Sequence, residues 1–107
     1  MYSNSNRPAV DAKRTGLKAI MVDLSDRESD YVEPGHYQLI EDQSLVLACP
    51  GCGWVSGMMV GRGHKPDVQP SWLLSGNNDA PTLSPSINCK GCCGWHGHLA
   101  NGLFVSQ

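Results

Sequence analysis

Two short cysteine-rich segments constrain the fold of this chain more than any other feature of its sequence. The first, CPGCG, occupies residues 49–53, and the second, CKGCCGWHGH, occupies residues 89–98. The glycines beside the cysteines allow the backbone to curl so that amide N–H groups point at the sulfurs. A C-x2-C pair followed by a second cysteine cluster is typical of a structural zinc site. We therefore predict a domain that is folded around one structural zinc ion.

The first segment supplies one pair of ligands, Cys49 and Cys52. The second segment holds more candidate ligands than one tetrahedral ion can use. With Cys89 and Cys92 it would complete a four-cysteine site. With Cys93 and His96 it would complete a site of three cysteines and one histidine. Both sets suit zinc, and the spacing of the residues leaves both open.

The composition explains why such a chain would need a metal. It has 107 residues, of which 40% are apolar, and it contains a single phenylalanine, so its core must be small. The cysteine count of five is odd, and the N-terminus lacks the apolar stretch of a secretory signal. We therefore expect a protein that is not secreted, with reduced thiols that bind metal instead of forming disulfides.

Charge and hydropathy argue against two classes of partner. The net charge is −2 and the isoelectric point is about 6.0, so the chain lacks the basic surface that attracts nucleic acid. No apolar run approaches the ~20 residues of a membrane span. We therefore expect a protein partner and do not expect binding to a membrane or a nucleic acid.

The short apolar runs and the turn residues between them predict a mainly β, zinc-ribbon-like domain of short hairpins. HYQLI and SLVLA (residues 36–40 and 44–48) alternate around a polar break, and LANGLFV (99–105) has Asn-Gly at its centre. We expect residues 23–107 to form this zinc-stabilised β domain. Residues 1–22, which are polar at their start, are expected to form an extended N-terminal arm or a short helix.

No known catalytic pattern is complete in the sequence. The H-x-E and P-C-x-x-C pair of zinc deaminases and the HExxH of metalloproteases are missing. Ser84 and Ser86 lie in PTLSPSI, outside any G-x-S-x-G context. The sequence therefore predicts a protein that is not an enzyme.

The order CPGCG (49–53), PTLSPSI (81–87), CCGWH (92–96) and NG (101–102) resembles a family of small phage and prophage proteins. The resemblance covers residues 45–105 and implies a phage origin and bound zinc. Some of these proteins carry the label ammonia monooxygenase, which does not suit a thiolate-rich site. Carried over residue by residue, the resemblance implies a ligand set of Cys49, Cys52, Cys93 and His96.

These observations predict a non-enzymatic phage structural protein, such as a capsid cement or decoration subunit in the virion. Its N-terminal arm would bind capsid or other virion proteins, and its zinc core would act as a rigid body. The first alternative is a zinc-ribbon adaptor in the host cytoplasm that binds a host protein or, less favoured by charge, a nucleic acid. A small zinc hydrolase with one open ligand position is the second alternative.

Overall fold

The computed structural model describes residues 16–89 and 91–107, and it confirms the predicted mainly β class. Within these residues there are nine strands and no helix. The strands are β1 (Leu17–Lys18), β2 (Ile20–Met21), β3 (His36–Ile40), β4 (Ser44–Ala48), β5 (Val55–Arg62), β6 (Trp72–Asn77), β7 (Ala80–Cys89), β8 (Trp95–Ala100) and β9 (Leu103–Ser106).

The nine strands form one sheet in the order β1-β9-β8-β7-β6-β5-β4-β3-β2. Its two edge strands, β1 and β2, are neighbours in sequence and are separated only by Ala19. The Ala19 amide bonds to the Gly102 carbonyl beside one edge, and the Ile20 amide bonds to the Gly35 carbonyl beside the other. The N-terminal segment therefore joins both edges, and the sheet is nearly closed on itself.

Most neighbouring strands are antiparallel hairpins, as the alternating sequence predicts. β3 pairs with β4 from Tyr37–Leu47 to Ile40–Ser44. β8 pairs with β9, and the turn between them places Asn101 and Gly102 at φ of 51° and 80°. Two successive residues with positive φ are the signature of the Asn-Gly hairpin turn. The pairs β2–β3 and β5–β6 are parallel.

The inner face of the sheet holds a single core. Trp95 and Phe104 are fully buried and contact each other edge to face, with ring centroids 6.0 Å apart. The Trp95 indole N–H donates to Ser106 Oγ at 2.9 Å, so its one polar atom is satisfied inside the core. The other buried members of this core include Tyr37, Leu45, Leu47, Met58, Val60, Leu74, Leu83, Ile87 and Leu99.

The boundary that the sequence predicts at residue 22 falls after two strands of the same sheet. Residues 17–18 and 20–21 are extended in β1 and β2, and the Gly16 amide donates to the Phe104 carbonyl at 2.7 Å. The remainder of the predicted arm, residues 1–15, lies outside the described residues. In the part of the chain that the structure describes, no helix has the length and hydropathy needed to cross a membrane.

Candidate active site and metal centre

The first cysteine segment forms the turn between β4 and β5. The Cys49 amide bonds to the Trp54 carbonyl at 2.8 Å, and the Gly53 amide bonds back to the Cys49 carbonyl at 2.8 Å. The Gly51 amide points at Cys49 Sγ from 3.3 Å. Cys49 and Cys52 are both buried. The turn therefore presents two sulfurs to the interior and stabilises one of them with a backbone N–H.

Gly53 is the residue on which this turn depends. Its φ is +86°, and a Cβ at this position would lie 2.1 Å from the Val32 carbonyl oxygen. We expect Gly53→Ala to lower the free energy of unfolding by roughly 2–4 kcal/mol, because it combines left-handed strain with a backbone clash. Chemical denaturation measures this loss. Gly57→Ala is the matched control, since a Cβ there meets no atom within 4 Å, and it should change stability by less than ~1 kcal/mol.

The second cysteine segment forms the turn between β7 and β8. The amides of Cys92 and Gly94 both donate to the Cys89 carbonyl at 3.0 Å. Gly94 has a φ of +86°, which an L side chain rarely adopts. Cys92 and Cys93 lie on the curled part of this turn, and each is partly exposed.

The two turns face each other and bring four sulfurs together. The Sγ atoms of Cys49, Cys52, Cys92 and Cys93 all lie within 4.8 Å of one another. The Cys49 and Cys93 sulfurs are 3.6 Å apart. Four sulfurs around one tetrahedral ion at a metal–sulfur distance near 2.3 Å would be separated by about 3.8 Å. The thiols therefore fit a tetrahedral metal ion.

The thiols differ in how readily they ionise. Hydrogen bonds from the thiols of Cys49 and Cys89 lower the pKa of Cys92 to about 2. Burial raises the pKa of Cys52 to about 12, and the hydrogen bonds that Cys49 makes to Cys89 and Cys92 raise the pKa of Cys49. The cluster would therefore release thiol protons on binding a divalent cation.

The structure places some of the sequence-predicted ligands in the sulfur cluster and others outside it. Cys49, Cys52 and Cys93 lie in the sulfur cluster, where Cys92 is the fourth member. The Cys89 sulfur is outside this group of four, although its thiol contacts that of Cys49. His96 is also outside the group, and its ring contacts a serine on the neighbouring strand.

That serine is Ser86 on β7, and its Oγ lies 3.0 Å from Nε2 of His96 on β8. Both residues are half-buried. A nucleophile and its general base need a separation of roughly 2.6–3.2 Å. Among residues 16–89 and 91–107, no acidic side chain is bonded to the His96 ring, and we refer to Ser86 and His96 as the Ser–His dyad.

A bulge in β7 places Ser86 in this position. The register between β7 and β8 shifts between Leu83 and Ile87, and Ser86 lies inside the shifted segment. Such bulges redirect a side chain relative to the regular ladder. The Trp72 indole N–H donates to the Ser86 carbonyl at 3.1 Å and fixes the backbone of the serine from the other side.

The contact between Ser86 and His96 is not predicted by the sequence analysis. Ser86 is outside the strand-to-helix turn that the G-x-S-x-G pattern marks, and it lies instead on a strand whose register is shifted. The available signal was the surplus of cysteines in residues 89–93, which can complete a metal site without His96.

A family model described as bacterial ubiquitination-like system serine protease (BubE) matches residues 24–106 of the chain. A search of curated proteins and a search of solved structures found no match to the chain. The family finding contradicts two predictions made from the sequence. The prediction that the protein is not an enzyme is wrong, and so is the prediction of a phage capsid cement or decoration subunit, because the matched family is one of serine proteases.

Proposed function

Since the chain belongs to the BubE family of bacterial ubiquitination-like system serine proteases, we propose that it hydrolyses peptide bonds with Ser86 as nucleophile and His96 as general base. The observation that carries this proposal is the 3.0 Å contact between Ser86 Oγ and His96 Nε2. A serine hydroxyl is a weak nucleophile until an adjacent base removes its proton, and the imidazole is placed to do so.

The dyad supports a two-step hydrolysis. Ser86 Oγ attacks the carbonyl carbon of the scissile bond while its proton passes to His96 Nε2. The imidazolium then donates that proton to the departing amine, which leaves an acyl group on Ser86. A water molecule, deprotonated by the same imidazole, attacks the acyl carbon, and the proton returns to Ser86 Oγ as the carboxylic acid is released.

The family description also suggests the class of substrate. We propose a ubiquitin-like protein of the same bacterial system, cleaved at or near its C-terminus from a following segment or from a conjugated partner. This proposal rests on the printed description of the family. The test is a fusion of that ubiquitin-like protein to a C-terminal reporter, incubated with wild-type or Ser86→Ala protein. Release of the reporter by the wild type alone supports the proposal, and equal release by both contradicts it.

The cysteine cluster is proposed to hold one zinc ion in a structural role. Zinc suits a set of four thiolates, and a four-sulfur site leaves no ligand position for substrate or water. Cys92 and Cys93 lie in the turn that precedes His96, whereas Cys49 and Cys52 lie in the turn between β4 and β5. Linking these two turns would fix the start of β8, and with it the position of the His96 imidazole.

Trp72 should act on the reaction by positioning the serine. We expect Trp72→Phe to lower kcat about tenfold, because it removes the hydrogen bond to the Ser86 carbonyl while keeping an aromatic ring at the site. The change in KM should be smaller than the change in kcat. Steady-state kinetics on the reporter fusion measures both. Unchanged kcat in Trp72→Phe would show that this hydrogen bond does not position Ser86.

A further inference from the structure

The sheet has a gap beside the proposed nucleophile. Pairing between β6 and β7 ends at Leu73 and Ser84, and pairing between β5 and β6 begins at Val60 and Trp72. In the described residues no strand lies between the end of β7, from Ser86 onward, and the beginning of β5. The Ser86 carbonyl accepts the Trp72 indole N–H, but beyond that contact the β7 edge has no neighbouring strand, in the described part of the chain, where it passes the Ser–His dyad.

A cavity of about 270 Å³ occupies this gap. Its lining is mostly apolar and includes Leu47, Trp54, Met58, Trp72 and Ile87. An apolar cavity of roughly 150 Å³ is enough to hold benzene. This cavity therefore has room for one large apolar side chain.

The backbone of Asn88 points into the same gap. The Gln107 amide donates to the His96 carbonyl at 2.8 Å, so the backbone groups of His96 face β9. His96 is directly opposite Asn88 in the antiparallel β7–β8 ladder. When one residue of such a pair faces away from its partner strand, so does the other, and Asn88 therefore directs its N–H and C=O away from β8. Asn88 also lines the cavity.

Resting on the proteolytic function proposed above, we propose that the substrate binds as an extended peptide along the β7 edge at Asn88, with a large apolar side chain in this cavity. The backbone N–H and C=O of Asn88 would pair with the peptide as in strand addition. Asn88 and Ser86 are two positions apart on one strand, about 7 Å. The side chain in the cavity therefore belongs to a residue within about two positions of the scissile bond.

Gly57 provides the variant that tests the cavity. It lines the cavity, its φ is not in the left-handed region, and a Cβ added there meets no atom within 4 Å. Gly57→Leu therefore adds volume at the cavity without a clash at the point of attachment. Ser75→Leu is the matched control, because it adds a similar side chain at an exposed β6 position that does not line the cavity.

The experiment is cleavage of a mixed peptide library by the wild type and both variants, read by mass spectrometry, with Ser86→Ala as the blank. The wild type should prefer Leu, Met or Phe at one fixed position near the cut. Gly57→Leu should lower kcat/KM on those peptides at least tenfold and spare peptides with Ala or Gly there, whereas Ser75→Leu should match the wild type.

Ser86-dependent cleavage with no apolar preference, or with a preference unchanged in Gly57→Leu, would overturn the inference and leave the protease function standing. If the wild type cleaves no peptide, a measurement of peptide binding tests the inference. The Ser86→Ala protein is titrated with a blocked Gly-Ser peptide that carries one central leucine, and the indole NMR signals of Trp54 and Trp72 are followed. Shifts that disappear with a central serine support the inference, and no shift at millimolar peptide overturns it.

Discussion

Replacing Ser86 by alanine is expected to lower kcat/KM on the ubiquitin-like reporter fusion by roughly 10⁴-fold or more. The reason is that the variant has no hydroxyl to attack the carbonyl, and any remaining hydrolysis must use water. Thermal unfolding and metal content should match those of the wild type, because Ser86 is only half-buried and lies outside the sulfur cluster. Rates are measured with fresh protein whose metal content has been determined.

Two further variants test the same assignment of Ser86 and His96. His96→Gln should lose activity to a similar extent, since a dyad acts as a unit, and should keep its metal because His96 is not among the four clustered ligands. Ser84→Ala is the matched control, an exposed serine on the same strand that should retain activity. Activity in Ser86→Ala, or its loss in Ser84→Ala, would contradict the assignment. Metal loss in His96→Gln would instead support the ligand set of Cys49, Cys52, Cys93 and His96.

Removing a buried cysteine of the proposed zinc site should unfold the protein. We expect Cys49→Ser and Cys52→Ser to lose bound zinc and cooperative unfolding together. Structural zinc contributes on the order of 10 kcal/mol in small domains, which is comparable to the 5–15 kcal/mol of total stability typical of a domain. Metal-to-protein ratios by elemental analysis and thermal unfolding by circular dichroism measure the two losses.

Cys89→Ser is the control for this second prediction, because its sulfur lies outside the group of four. It should keep one metal ion per chain and most of its stability. Metal loss in Cys89→Ser would place Cys89 in the ligand set in exchange for one of the adjacent pair, Cys92 or Cys93. A Cys49→Ser protein that folds cooperatively without metal would contradict the structural role of the ion.

The local elements of this fold could be predicted because each is encoded within a few neighbouring residues. The apolar runs at residues 36–40 and 44–48 became β3 and β4 at those bounds, and Asn101-Gly102 became the turn between β8 and β9. The first cysteine turn was also predictable, because Gly51 and Gly53 beside Cys52 supply the backbone freedom that such a turn needs.

The remainder depends on contacts between residues far apart in sequence. Closure of the sheet by residues 17–21 requires pairing with both β3 and β9, and no local pattern encodes it. Ser86 and His96 lie on different strands and meet where the register of β7 against β8 is shifted, which no local pattern encodes. The same consideration applies to the second cysteine segment, where the curvature of the turn determines which sulfurs face Cys49.

The central claim, that Ser86 is a nucleophile activated by His96, is tested most directly by covalent labelling with a fluorophosphonate, which needs no knowledge of the substrate. Mass spectrometry of the digested wild-type protein should locate one adduct on Ser86. His96→Gln should show little labelling while still binding its metal, and Ser86→Ala should show none. An unlabelled wild type, or an adduct on another residue that persists in Ser86→Ala, would contradict the account.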